Sequence, residues 1–203
     1  AVEEIDFESI IKKHIKRINV KTNKINSIFD FDALTYTDVH IGMDTDKDNN
    51  SMYAEDWSRK TILETAKEIV IKTLEYKKSN LLIVDDLGDL LHGLHAKTTR
   101  GGHDLPQNMT NEEAFDCALE FKSIILDGLV SEYENIEFNN ICNDNHSGVF
   151  AYFLNTAFKQ IAELKYSNIK VTNHRTFLSH YYVKDIAFVI THGKDDKTLK
   201  YGW

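Results

Sequence analysis

A chain of 203 residues with 42% hydrophobic and 28% charged content can bury one full core and has the composition of an ordinary soluble globular protein. Its net charge of −8 excludes a protein that coats nucleic acid by bulk charge. It does not exclude a nuclease, because bound metal ions supply the local positive charge that phosphate needs. No apolar run approaches the ~18 residues of a membrane span, so no membrane partner is expected.

The start, Ala-Val-Glu-Glu-Ile-Asp, is acidic and lacks the apolar stretch of a secretory signal. It also lacks an initiator Met, so a processed or cut chain is expected. Residues 1–24 read as a separate N-terminal unit, an amphipathic basic helix or linker. Phe7, Ile10, Ile11, His14, Ile15 and Ile18 form its apolar stripe, and Lys12, Lys13, Lys16 and Arg17 its charged face. Residues 25–203 form the main domain.

Four strand-like segments of that domain each run into ligand-type residues. Ala33–Thr37 leads to Asp38-Val39-His40, and Leu81–Val84 leads to Gly88-Asp89. Ile136–Cys142 leads to Asn143-Asp144-Asn145-His146, and Ile186–Ile190 leads to Thr191-His192-Gly193. Side chains at the carboxyl ends of strands line the ligand crevice of an open α/β sheet. Asp38 and His40 are two apart; on an extended strand end both point to one side and reach one ion.

Between the strands, helices are expected from Glu55 to about Lys77, from the Thr110–Glu113 capping box, and from Val149 to about Leu164, with Ser147 as a cap. Strand, helix and strand then make a parallel pair with a right-handed crossover. The stretch from His92 to Met109 is a long loop beside the site, and its Lys97 and Arg100 are candidate substrate contacts. His92, His95 and His103 are expected to lie at the surface or behind the ligands rather than to bind an ion. Segments 169–172, 177–183 and 185–191 read as late strands without helices, which suggests a second sheet packed on the first, a four-layer α/β-sandwich. Cys117 and Cys142 sit in apolar settings and are expected to be buried thiols, which fits a reducing, cytoplasmic setting.

Carboxylate, imidazole and amide oxygen without thiolate make a mixed O/N donor set, suited to Mn, Fe, Zn or Co. Two such ions bridged by one carboxylate clamp a phosphate and lower the pKa of a bound water to roughly 7. Asp89, alone at its glycine turn, is the natural bridge, and His146 could protonate the leaving oxygen.

In order and spacing, Asp38-Val-His40, Gly88-Asp89, Asn145-His146 and His192-Gly193 resemble the calcineurin-like metallophosphoesterases over about residues 30–196. The insert with Lys97-Thr-Thr-Arg100 is more similar to the phage and bacterial exonuclease-type branch. The resemblance implies an α/β fold of the four-layer metallophosphoesterase type and two divalent ions, manganese first. Asp38 and His40 would hold one ion, Asp89 would bridge, Asn145 and His192 would hold the other, and His146 would be the proton donor. The implied substrate is a phosphate ester, DNA or RNA foremost; the alternatives are a phosphomonoesterase and a metal-poor interaction module of the same fold. Three departures stand out. Ser147 replaces the family's acidic residue after the histidine, and Leu90 and Leu91 follow Asp89 where a second acid is usual. The closing Gly-His-x-His motif does not follow His192, so a C-terminally truncated domain is expected.

Overall fold

The structure, a computed structural model, describes residues 17–22, 30–45 and 56–193. In chain order the elements are β1 (Asp32–Tyr36), α1 (Arg59–Glu75), β2 (Leu81–Asp86), α2 (Asn111–Leu129), β3 (Asn135–Ile141), α3 (Val149–Lys165), β4 (Ile169–His174), β5 (Leu178–Val183) and β6 (Ile186–Thr191). The chain is α/β, with a four-stranded parallel sheet and a two-stranded antiparallel one.

Local chemistry sets the helix starts. The Ser58 side chain accepts the Thr61 N–H ahead of α1. At α2 the Thr110 hydroxyl accepts the Glu113 N–H while the Glu113 carboxylate accepts the Thr110 N–H, the reciprocal box expected there. The Ser147 cap is a correction. Gly148 occupies the cap position of α3 with no side-chain bond, because the Ser147 hydroxyl donates to Asp144 instead.

The parallel sheet runs β1-β2-β3-β4, each strand beside its predecessor. Three right-handed crossovers stepping in one direction put all three helices on one face. The core packs there: Tyr36 meets Phe121 of α2 edge to face at 5.8 Å, and Phe138 meets Phe158 of α3 at 5.1 Å. Strand alternation sends Asp85 to the opposite face, where its carboxylate accepts the Tyr181 hydroxyl of β5 at 2.8 Å. Phe188 of β6 stacks on Tyr181 at 5.2 Å, so the hairpin lies over that face. The described residues thus form three layers: helices, parallel sheet, hairpin.

One expected late strand belongs elsewhere. β4 is not in the second sheet; it pairs parallel with β3 from Ile136↔Ile169 to Ile141↔His174. The preceding α3 is a full crossover, and sheet membership follows the connection before a strand rather than the one after it. Its alternation is nevertheless half-exposed as expected, with Val171 buried and the Lys170 ammonium on the Glu137 carboxylate of β3 at 2.8 Å.

Residues 17–22 are not helical, and Ile18 is bridged to Tyr166. The rest of the expected N-terminal helix lies outside the described residues. Cys117 and Cys142 are free and buried, and burial pushes their thiols up to about 11 and about 12. Among the described residues no helix is long and apolar enough to cross a membrane.

Candidate metal centre

Beyond the ends of β1 and β2 the chain goes on zipping through its turns. The Asp38 N–H donates to the Gly88 carbonyl at 3.1 Å, His40 to Asp89 at 3.0 Å, and Ile41 to Leu90 at 2.8 Å. Asp38, His40 and Asp89 all sit at left-handed backbone angles, with φ of 54°, 50° and 50°. The extended arrangement expected for Asp38-Val-His40 is therefore not what brings the two together. Two left-handed turns do so, leaving Asp38 Oδ1 3.5 Å from His40 Nε2. Left-handed non-glycine residues are costly and concentrate where function holds them.

The third turn joins at Asp89. The His146 N–H donates to Asp89 Oδ1 at 3.3 Å, and the Asp89 N–H donates to Asp144 Oδ2 at 3.2 Å. Asp144 is fully buried and also accepts the Ser147 N–H, the Ser147 hydroxyl and the Gly148 N–H. Burial, then the neighbouring Asp89 charge, raise its carboxyl above the usual range. It ties the second and third turns together through these bonds rather than by orienting the His146 ring.

The fourth arrival is His192, past β6. Its Nδ1 lies 3.0 Å from the Leu87 carbonyl, so that nitrogen carries the hydrogen and Nε2 faces inward. Nε2 is 2.7 Å from Asn145 Oδ1 and 3.1 Å from Asp89 Oδ2. His146 is fixed in the same way, with Nδ1 donating to the His92 carbonyl at 2.6 Å and Nε2 3.7 Å from Asp89 Oδ2. All six residues expected at the site, Asp38, His40, Asp89, Asn145, His146 and His192, are joined in one cluster by these contacts.

One atom lacks what it needs. Asp89 Oδ2 is buried and has no hydrogen bond of good geometry, although two imidazole nitrogens lie close by. Burial alone would raise this carboxyl; the close approach of His192, then the charges of His146 and His40, outweigh that and hold it below the usual range. Burial would likewise lower His192, but the nearby Asp89 carboxylate outweighs that and raises it. A divalent ion with bonds of about 2.1 Å at right or tetrahedral angles sets its donors about 3.0–3.4 Å apart. The 3.1 Å from His192 to Asp89 falls within that spacing, the 3.5 Å from Asp38 to His40 lies just above it, and the 2.7 Å from His192 to Asn145 lies below it. An orphaned oxygen, two imidazoles with inward nitrogens and an amide oxygen make a donor set that fits divalent cations.

Lys97 and Arg100 are already engaged. Lys97 is exposed and pairs with Asp104 at 2.6 Å. The Arg100 guanidinium donates to Asn143 Oδ1 at 2.8 Å, and its backbone N–H to the Asn145 carbonyl at 3.2 Å. With the Thr99 N–H on the His146 carbonyl at 3.0 Å, this loop straps the Asn143–His146 turn down. His95 is taken by Asn111, and His103 is exposed.

His92 goes further than a surface group. It is 7% exposed, its Nδ1 lies 3.5 Å from His40 Nδ1, and its carbonyl orients His146. Burial, then the charges of His40 and His146, lower it to about 4. His40, His92 and His146 together offer ring nitrogens within 4.8 Å of one another, as do Asp38, His40 and Asp89 through one atom each. The signal for His92 was its place three residues after Asp89, on the extended stretch that pairs with Ile41. No family model, curated protein or solved structure matches the chain.

Proposed function

We propose that the chain is a metal-dependent phosphoesterase of the calcineurin-like kind, acting on phosphodiesters in nucleic acid or a nucleotide. One observation carries the reading: the unsatisfied, buried Asp89 Oδ2 among the inward nitrogens of His146 and His192. Asp38 and His40 would hold one ion and Asn145 and His192 the other, with Asp89 between them. Manganese is the first candidate, then iron, zinc or cobalt. Such a pair of ions supplies hydroxide at neutral pH and neutralises the phosphate.

The chain's own residues do the rest. The Leu87 and His92 carbonyls fix the tautomers of His192 and His146. His146 Nε2 is then free to carry a proton to the leaving oxygen. The His92 carbonyl takes the orienting part that the family gives to an acid at the position of Ser147. Arg100, seated on Asn143, stands at the rim for a phosphate backbone; Lys97 would have to leave Asp104 to join it. A parallel sheet with helices outside and a hairpin on its inner face supports the helix-and-sheet half of the four-layer sandwich.

The test is hydrolysis of bis-p-nitrophenyl phosphate and p-nitrophenyl phosphate by the full chain with added manganese. Turnover of the diester, lost in Asp89→Asn without loss of cooperative unfolding, is the expected result. Turnover of the monoester alone would reassign the substrate. No turnover of either, with no bound manganese, would overturn the reading.

A further inference from the structure

A lysine stands in the core beneath the candidate site. Lys122 of α2 is fully buried, between Phe121 and Ile125 on the apolar face of its helix. Its Nζ donates to Asp86 Oδ2 at 2.6 Å and to Asn140 Oδ1 at 3.0 Å, and the rings of Tyr36 and Phe158 flank it at 5.8 and 5.2 Å. Taking such a cation from water is costly, and apolar replacement of a buried pair is often neutral or stabilising. Packing alone gives no reason for a charge here.

The other oxygen of Asp86 supplies one. Asp86 Oδ1 accepts the Gly88 N–H at 3.1 Å. The Gly88 carbonyl in turn accepts the Asp38 N–H, and the Asp89 carbonyl accepts the His40 N–H. The turn clamped by Asp86 is therefore the hub from which Asp38, His40 and Asp89 are aimed.

We propose that the Asp86–Lys122 ion pair is a positioning device for the candidate metal centre: Asp86 clamps the Gly88–Asp89 turn from below, and Lys122 holds that carboxylate in place. Its consequence for metal binding rests on the reading above; the clamp itself does not. Among the described residues neither makes a hydrogen bond or ion pair with a candidate ligand atom, so both act through the backbone of the turn. Groups that orient ligands in this way typically change metal affinity 10–100-fold when removed.

Two double variants separate positioning from simple core stability. Asp86→Asn with Lys122→Met removes both charges but keeps a carbonyl oxygen for the Gly88 N–H. Asp86→Leu with Lys122→Met removes the charges and the acceptor. Each is made in the full chain, freed of metal and checked for cooperative unfolding in urea. Exchange of the Gly88 amide is then followed by NMR, and manganese chloride is titrated in calorimetrically. The Leu variant is expected to lose at least tenfold in Gly88 protection and roughly 10–100-fold in manganese affinity. The Asn variant, which keeps the acceptor but loses the lysine that holds it, is expected to fall between wild type and the Leu variant in both. An Asn variant equal to wild type overturns the part given to Lys122. Equal Gly88 protection in the two variants overturns the clamp, whatever the metal does. Lost Gly88 protection with unchanged manganese affinity overturns the link to the site. A wild-type chain that takes no manganese overturns the metal reading and that link with it, leaving the clamp to the exchange measurement.

Discussion

Gly88→Ala probes the geometry of the site without altering any proposed ligand. Gly88 has φ of +104°, a conformation that costs a non-glycine residue about 1–3 kcal/mol. A Cβ there would lie 3.1 Å from Asp144 Cβ and 3.1 Å from His192 Nδ1, so two packed loops must yield. Overpacking of this kind costs about 1–3 kcal/mol. Against these, alanine restricts the unfolded chain and returns about 0.4–1 kcal/mol. The net expectation is a loss of about 1–5 kcal/mol, or roughly 2–20 °C in Tm at 2–4 °C per kcal/mol. Gly102→Ala is the control, since Gly102 has φ of +62° and no atom within 4 Å of its would-be Cβ. It feels the backbone cost alone, so the two variants should differ by about the packing share, 1–3 kcal/mol. Urea unfolding of the metal-free proteins measures both. A Gly88→Ala chain as stable as Gly102→Ala would mean that His192 and Asp144 do not close on this turn, and the four-turn cluster would fail with it.

The left-handed Asp38 gives a second expectation. Its side chain is 54% exposed, so substitution mainly reads backbone cost. Asp38→Gly should be about 0.5–1 kcal/mol more stable than Asp38→Ala in urea, the left-handed penalty exceeding glycine's entropy; an alanine variant of equal or higher stability would contradict the turn. His92 gives the third. Its folded value of about 4 lies below its unfolded 6.5, so between those pH values the unfolded chain binds the proton first. Stability therefore falls as pH drops from about 6.5 toward 4, by up to about 3 kcal/mol, and this contribution is flat below. The metal-free wild type should lose about 2 kcal/mol more than His92→Gln between pH 7 and 4.5 by urea unfolding. Equal losses would put His92 in solvent.

Much of the fold was legible because the signals were local. The Thr110–Glu113 box, the apolar spacing of Ile62 and Ala66, and the apolar run at Leu81 act over a few residues, and each produced its element. Five of the six candidate site residues were legible for a related reason: Asp38, His40, Asp89, Asn145 and His146 follow parallel strands, which deliver their C-terminal ends to one edge. His192 instead follows β6 of the antiparallel hairpin and is brought in by the seat of that hairpin over the sheet. What failed was non-local or set by a competing bond. Ser147 was drawn from its cap by Asp144, and β4 joined the first sheet through α3. The partners of Lys97 and Arg100, Asp104 and Asn143, were not legible either, because they meet only once the loop folds back; neither bond rules out the substrate contact expected of these two residues.

By itself, then, the order of residues determined the strands, the helices and which side chains would stand at the strand ends, since periodicity and capping need no distant partner. Only the three-dimensional chain decided that Asp89 Oδ2 would be left without a donor, and that His92 would slide beneath His40. It also decided that a buried lysine would grip the turn through Asp86. Those outcomes depend on atoms brought together from residues tens of positions apart, and no spacing along the polypeptide encodes such distances.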